Sequence, residues 1–379
     1  MNCPNKELCG SCGWSHIPYD KQLTQKLADI NGSFALKELD LKCEEILPSP
    51  VTEHFRNRMD FVIDFEGRVG LRQKGKWWRV IDDHTCFLAS EDIERLFHSV
   101  RDWTKTSELT FFDRKAHTGL LRYAVIRSTL KGETMITIVT SAPADPAEEA
   151  ATQTALETLA SSSGATTVIW SINHTISDVS VGDELRVISG DGVIHEEING
   201  VQFAISPNAF FQTNPHGASV LQQTVLERIA AVAPKTLLDL YCGSGFFGIS
   251  AAMKLPDTTV IGVEIVPEAI EDARRNATLN GIGTDRIELT AQKTEDFDWG
   301  GYNADCVILD PPRSGMHDSA LADVLRILPP EIIYVSCNAK NFAREMVQLK
   351  KHYTVSFMRA IDMFPHTPHV ELVTHLTRK

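Results

Sequence analysis

Long apolar runs are missing from this 379-residue chain: nothing approaches the roughly 20 consecutive apolar residues a membrane-spanning helix needs. Met1 to Cys12 is polar and cysteine-rich, without the apolar core of a secretory leader, so a cytoplasmic protein is expected. An excess of positive charge is missing too. Aspartate and glutamate number 50 against 37 lysines and arginines, a formal net charge of −13. That argues against indiscriminate nucleic-acid binding while leaving room for a local basic face. Internal repeats and low-complexity segments are absent. Cysteine is sparse, eight in all, and in a reducing compartment these are not read as four disulfides.

What is present is the composition of a soluble protein with ample core, 43% hydrophobic and 23% charged. The length exceeds one typical domain, and three segments are expected: 1–54, 55–202 and 203–379. The first holds Cys3, Cys9 and Cys12 in a C-x5-C-x2-C array. Soft thiol ligands set so close call for a metal or cluster, with a fourth ligand from elsewhere, and Cys86 after a strand-like stretch can fold back to supply it. Four cysteines suit zinc or a [4Fe–4S] cluster, and spacing alone does not choose. An amphipathic helix is expected over 19–39. The segment 55–202 reads as an α+β domain, strand-rich with helices near 91–104 and 145–161. Two acid-free basic stretches lie in it: Arg68 to Arg79, with Trp77 and Trp78, and Arg114 to Lys131. Cations interleaved with aromatics suit phosphate contact and base stacking. The bland reading is a solvated hairpin face over core tryptophans.

The chain's organising stretch is Thr236 to Glu264. A short apolar strand carrying Asp239 runs into the turn Gly243-Ser244-Gly245, with Gly248 beyond; a helix follows, then a second strand ending on Glu264. Glycines allow a sharp turn and close ligand approach, and an acid at the strand tip can accept hydrogen bonds from ribose hydroxyls. Strands are expected near 236–241, 258–264, 286–291, 304–310, 331–336, 353–361 and 369–376, with helices between the first five and the last two antiparallel. That pattern is an α/β doubly wound sheet in its seven-stranded, Rossmann-like variant.

Asp310-Pro311-Pro312-Arg313 follows the fourth strand, at the edge where such sheets bind ligands. Where amino groups are methylated an aromatic residue stands after the diproline; Arg313 in its place disfavours that chemistry. Cys337 lies at the tip of the next strand, facing the same crevice. A thiolate there can add to C6 of a pyrimidine and turn the poorly nucleophilic C5 into an enolate carbon. A base must then remove the C5 proton. Glu371, at the start of the last strand, is the choice, with His366 and His369 as alternatives. Cys242 and Cys306, inside apolar sequence, read as structural.

The D-L-Y-C-G-S-G turn resembles motif I of the S-adenosylmethionine (SAM)-dependent methyltransferases. Together with the N-terminal cysteines, FFQTNP, GVE, DPPRSG, SCN and FPHTPHVE, in that order, it makes the chain resemble the RNA uridine-C5 methyltransferases, which form 5-methyluridine, over nearly its whole length. The resemblance implies a [4Fe–4S] cluster on Cys3, Cys9, Cys12 and Cys86. It implies SAM contacts from Gln212, Tyr241, Glu264 and Asp310, with Cys337 as nucleophile and Glu371 as proton acceptor. FPHTPH and C-G-S-C-G-W resemble the branch acting on a uridine in 23S rRNA, and the cysteine array argues against the transfer RNA branch. The expected partner is therefore large-subunit rRNA, with no membrane. Ala339 and Lys293 depart from the family pattern. The rivals are the same reaction on tRNA, cytosine-C5 methylation, and a non-catalytic RNA-binding assembly factor. A dehydrogenase is disfavoured by the acid-first glycine turn.

Overall fold

The computed structural model describes Cys3, residues 5–82 and residues 85–379, with the side chain of Trp77 outside the described set. In chain order, α1 is Tyr19–Ala35, β1 Ile46–Leu47, β2 Arg58–Ile63, β3 Val69–Gln73, β4 Lys76–Ile81, α2 Glu91–Thr106, β5 Leu121–Ser128 and β6 Thr134–Ser141. Next come α3 Pro146–Ser163, β7 Thr167–Asn173, β8 Glu184–Ser189, β9 Ile194–Ile198, β10 Val201–Ile205 and α4 Pro215–Val232. The remainder alternates: β11 Thr236–Leu240, α5 Phe246–Lys254, β12 Thr259–Glu264, α6 Pro267–Leu279, β13 Ile287–Ala291, β14 Cys306–Leu309, α7 Asp318–Ile327, β15 Glu331–Ser336, α8 Ala339–Leu349, β16 Tyr353–Ile361 and β17 Glu371–Arg378.

Contacts divide the chain into two compact units. The first comprises residues 1–16, 52–196 and 204–208. Its seven-stranded sheet has the order β4-β3-β2-β5-β6-β7-β8 and is antiparallel except for β6 beside β7. Every residue of β5 is buried, as is every residue of β7. Phe61 of β2 meets Phe97 of α2 at 4.7 Å, and Trp103 of α2 donates its indole N–H to Ala155 of α3. Ser90 and Asp145 cap α2 and α3 by accepting backbone N–H groups of their first turns.

The second unit comprises residues 17–51, 197–203 and 209–379. Its sheet has eight strands, in the order β1-β16-β17-β15-β14-β11-β12-β13. The seven expected strands are all present, and Ile46–Leu47 adds an eighth beside β16. The first five are parallel, and β17 runs antiparallel between β15 and β16. Period-two alternation sends Leu238 and Leu240 into a core shared with Ile30 and Phe34 of α1, Leu321 of α7 and Phe342 of α8. Asp239, between them, points to the opposite face and accepts the Gly248 N–H at 2.8 Å.

Two expectations are corrected. The helix α1 belongs to the second unit, not with the cysteine segment, because its apolar face is part of that unit's core. No helix joins β13 to β14. The connection is two short 3-10 turns, Thr294–Asp296 and Trp299–Tyr302, in a stretch where glycines and a buried Trp299 leave no helical apolar face. Among the described residues no helix is long and apolar enough to cross a membrane.

A Cβ at position 248 would sit 2.8 Å from the Asp239 carboxylate and 3.0 Å from Val260. Gly248→Ala is therefore expected to cost about 1–3 kcal/mol of stability, read as a lower thermal unfolding midpoint. An unchanged midpoint would show that the Asp239–Gly248 contact is not rigid.

Candidate active site

Strand register assembles the site. Leu240 pairs with Val263 on one side and with Leu309 on the other, and Leu309 pairs with Tyr334. Ser336 pairs with Leu372, so one further step of that antiparallel register sets Cys337 level with Glu371. The residues just past these strand ends form a row along one sheet edge: Glu264, Tyr241, Asp310, Cys337 and Glu371. Strand order reverses between β11 and β14, the switch point where open α/β sheets hold ligands.

The glycine turn is shaped for close approach. Gly243 and Gly245 have φ of +53° and +87°, and Tyr241, unusually for a non-glycine, has +66°. Glu264 accepts the Gly243 N–H at 3.2 Å and the Val266 N–H at 2.9 Å, which ties the second strand tip to the turn. Burial pushes the Asp239 carboxyl up to about 8, and its proximity to Asp310 and Glu264 adds to the shift.

Acidic groups crowd the other half of the row. Asp310 is pushed up to about 7 by burial of its carboxyl. Glu371, 8% exposed, lies well above the carboxylate range through burial and the nearby Asp310. The half-buried Cys337 thiol is pushed up to about 11, by burial first and then by Glu371 and Asp310, with Arg313 opposing. The free protein thus holds Cys337 as a thiol at neutral pH.

Two loops lock the row in place. The Arg313 carbonyl accepts from Asn338 at 3.2 Å and Asn341 at 2.7 Å, joining the D-P-P-R loop to the S-C-N loop. Arg313 also donates to His369 Nδ1 at 3.3 Å. Glu345, buried on α8, accepts from the Met316 N–H at 3.1 Å and the Tyr334 hydroxyl at 2.5 Å. Sequence reasoning missed Glu345; its signal is an acid among the apolar positions of a helix.

Gln212 lies off the sheet edge, half-buried in the segment entering α4, two residues before Asn214, which donates to the Met363 carbonyl at 2.9 Å. His366 is buried while His369 is half-buried beside Arg313. Cys242 and Cys306 are buried.

In the first unit, Cys3, Cys9, Cys12 and Cys86 line one small pocket with Asn5, Lys6 and Thr85. Cys12 and Cys86 share a hydrogen bond that lowers the Cys86 thiol and raises that of Cys12. Among the described residues no three His, Cys, Asp or Glu side chains are set as a formed metal site. The donor set is four soft sulfurs on one pocket wall, which fits zinc or an iron–sulfur cluster.

The basic stretches need correction. Arg122 and Arg127 are buried on β5. Arg122 donates to the Thr175 carbonyl at 2.8 Å and to that of Ser177. Arg68 pairs with Asp64 and Glu66, and both Arg72 and Arg114 pair with Asp178. Carboxylates just outside the stretch (Asp64, Glu66) and far along the chain (Asp178) neutralise cations that looked unpaired. Lys74, Lys76, Trp78, Arg79 and Lys115 remain exposed; the expectation for the Trp77 side chain falls outside the described residues.

Comparison with known proteins gives a consistent result. The family model described as tRNA (Uracil-5-)-methyltransferase matches residues 18–379. The chain is 36% identical, over 98% of its length and 83% of the relative's, to an uncharacterized RNA methyltransferase of Caldanaerobacter subterraneus subsp. tengcongensis. It is 35% identical, over 97% of its length and 83% of the relative's, to the tRNA (uracil(54)-C(5))-methyltransferase of Pyrococcus horikoshii. Among solved structures, the Pyrococcus abyssi tRNA (uracil-54, C5)-methyltransferase in complex with S-adenosyl-L-homocysteine superposes with a TM-score of 0.82 at 32% identity, covering 98% of this chain and 86% of that one.

Alkylation follows the thiolate, so the rate at Cys337 should rise about tenfold per pH unit below its pKa. Glu371→Gln is expected to shift that rise to lower pH and Arg313→Gln to higher pH, followed by site-resolved mass spectrometry with iodoacetamide. Superimposable profiles would mean that neither group faces the thiol.

Proposed function

The chain belongs to the tRNA (uracil-5-)-methyltransferase family, and from that premise we propose how it works and on what. It is a SAM-dependent RNA (uracil-C5)-methyltransferase. The observation that carries the proposed mechanism is the register that sets Cys337 level with Glu371 on one sheet edge, where the first can act as nucleophile and the second as base.

Cys337 gives up its proton to solvent, and its sulfur bonds to C6 of the target uracil, moving the ring electrons onto the C4 carbonyl as an enolate. C5 then takes the methyl group, the bond from methyl to sulfonium breaks, and S-adenosylhomocysteine remains. Glu371 accepts the C5 proton; the C5–C6 double bond re-forms and the C6–S bond breaks, releasing Cys337 and 5-methyluridine. Bound SAM supplies an activated methyl on a cationic sulfur. Gln212, Tyr241, Glu264 and Asp310 would hold it, and the acid-rich edge suits a cation. Glu371 must be ionised to act, and a positive charge brought beside it favours that state. The uridine must leave its stack to reach Cys337, so base flipping is part of the reading.

For the substrate we propose a uridine of large-subunit rRNA, supported by the FPHTPH and C-G-S-C-G-W motifs. A second reading, a tRNA uridine, is favoured by the Pyrococcus relatives, which are tRNA (uracil-54, C5)-methyltransferases. The exposed Lys74, Lys76, Trp78, Arg79 and Lys115 are candidate RNA contacts of the first unit. Cys3, Cys9, Cys12 and Cys86 would hold a [4Fe–4S] cluster, with zinc as the alternative, in a structural role, since the methyl transfer moves no net electrons.

Purified protein, methyl-labelled SAM and either unmodified large-subunit rRNA or unmodified tRNA should yield labelled 5-methyluridine on nuclease digestion from the rRNA alone. Label from tRNA alone would keep the chemistry and replace the substrate. Labelled 5-methylcytidine would overturn the uracil assignment, and a Cys337→Ala protein with full function in cells would favour a non-catalytic assembly factor.

Protein purified without oxygen is expected to carry iron and acid-labile sulfide, both lost in Cys12→Ser together with thermal stability. Zinc without iron would decide for the alternative. A Cys3→Ser protein that folds and works normally would remove the structural role.

A further inference from the structure

Helix α1 is far from the row of reacting groups in sequence, yet two of its side chains hold the loop that ends on Glu371. Gln22 and Lys26 are one turn apart and so share a helix face. Both are fully buried. Lys26 Nζ lies 2.6 Å from Asp362 Oδ1 and 3.1 Å from the Phe364 carbonyl. The same Asp362 oxygen accepts the Phe364 N–H at 3.0 Å. Gln22 grips His366 twice: its Oε1 accepts the His366 backbone N–H at 2.7 Å, and its Nε2 lies 3.1 Å from His366 Nδ1. His366 holds a φ of +65°, a conformation that costs a non-glycine energy unless its surroundings impose it. Asn214 adds a bond to the Met363 carbonyl and one to Ser49.

Stability does not explain this arrangement. Burying an ammonium and a carboxylate costs several kcal/mol per ion, and an apolar pair of the same volume often holds helix to loop at least as firmly. Apolar packing is non-directional, however, whereas these bonds fix the backbone of residues 362–366 atom by atom. Glu371 begins β17 five residues later. A base must lie within hydrogen-bond reach of its proton, and a misplacement of about 1 Å can cost on the order of a hundredfold in rate.

We propose that Gln22 and Lys26 are positioning residues that fix Glu371 for removal of the C5 proton. The proposal rests on the reading of Glu371 as proton acceptor. It predicts a selective defect: adduct formation and methyl transfer proceed, and release of the methylated RNA from Cys337 slows.

The test uses the full-length protein, an RNA shown to be methylated by it, and methyl-labelled SAM. Gln22→Ala removes the grip on His366, and Lys26→Met with Asp362→Leu removes the ion pair without leaving an orphan charge. Glu371→Gln serves as the reference. Each is followed by the covalent protein–RNA adduct surviving a denaturing gel, by released 5-methyluridine, and by thermal unfolding. Either variant that folds is expected to bind SAM as the wild type does, to accumulate labelled adduct, and to release product on the order of tenfold to a hundredfold more slowly. Release at the wild-type rate from a folded variant overturns the proposal. So does loss of adduct and product together, the mark of a merely structural role. Adduct in Glu371→Gln but not in the α1 variants would sink the positioning role and leave the reading of Glu371 standing. No adduct in Glu371→Gln would sink both.

Discussion

The register of five strands is the constraint on which the site depends. Glu264, Tyr241, Asp310, Cys337 and Glu371 come from five separate strand ends, and no two are neighbours in sequence. They share an edge because Leu240, Val263, Leu309, Tyr334, Ser336 and Leu372 are paired in one ladder. A one-residue slip of β17 would turn Glu371 to the other face. Insertion of β17 antiparallel between β15 and β16 is what brings Glu371 beside Cys337. A purely parallel sheet would send the start of its last strand to the opposite edge.

Electrostatics gives that edge its character. Three acidic groups stand close together there, opposed by Arg313, and each titrates above its ordinary range. Burial is the first cause in every case, and for Cys337 and Glu371 repulsion from neighbouring acids adds to it. Such a site keeps the Cys337 thiol protonated in the free protein. Bonds from Asn338, Asn341 and Glu345 hold the two loops against that repulsion.

The first unit treats charge differently. Arg122 and Arg127 are buried, Arg68 meets Asp64 and Glu66, and Asp178 alone engages both Arg72 and Arg114. With an overall charge of −13, attraction for RNA has to be local, and Lys74, Lys76, Arg79 and Lys115 are among the exposed cations of this unit. The four pocket-lining cysteines come from segments more than 70 residues apart in the chain, so anything that binds them also ties residues 3–12 to the loop at Cys86.

By itself the sequence determined the seven strands, the glycine turn, the placing of Cys337 and Glu371 at strand tips and the burial of Cys242 and Cys306. These are local signals: apolar periodicity, a turn that only glycine makes easily, and a residue type at a strand tip. The helix expected between β13 and β14 failed because acids and glycines there give 3-10 turns in place of a continued helix. Tertiary structure alone decided which cations are spent internally, that α1 joins the second unit, and that Glu345 and the Lys26–Asp362 pair brace the loops around the site. Apart from Arg68, whose carboxylates are near neighbours, these depend on partners far along the chain, such as Asp178 for Arg72 and Asp362 for Lys26. Charge and hydrogen bonding act through space over a few ångströms, and the sequence carries no local mark of which distant group will arrive within that reach.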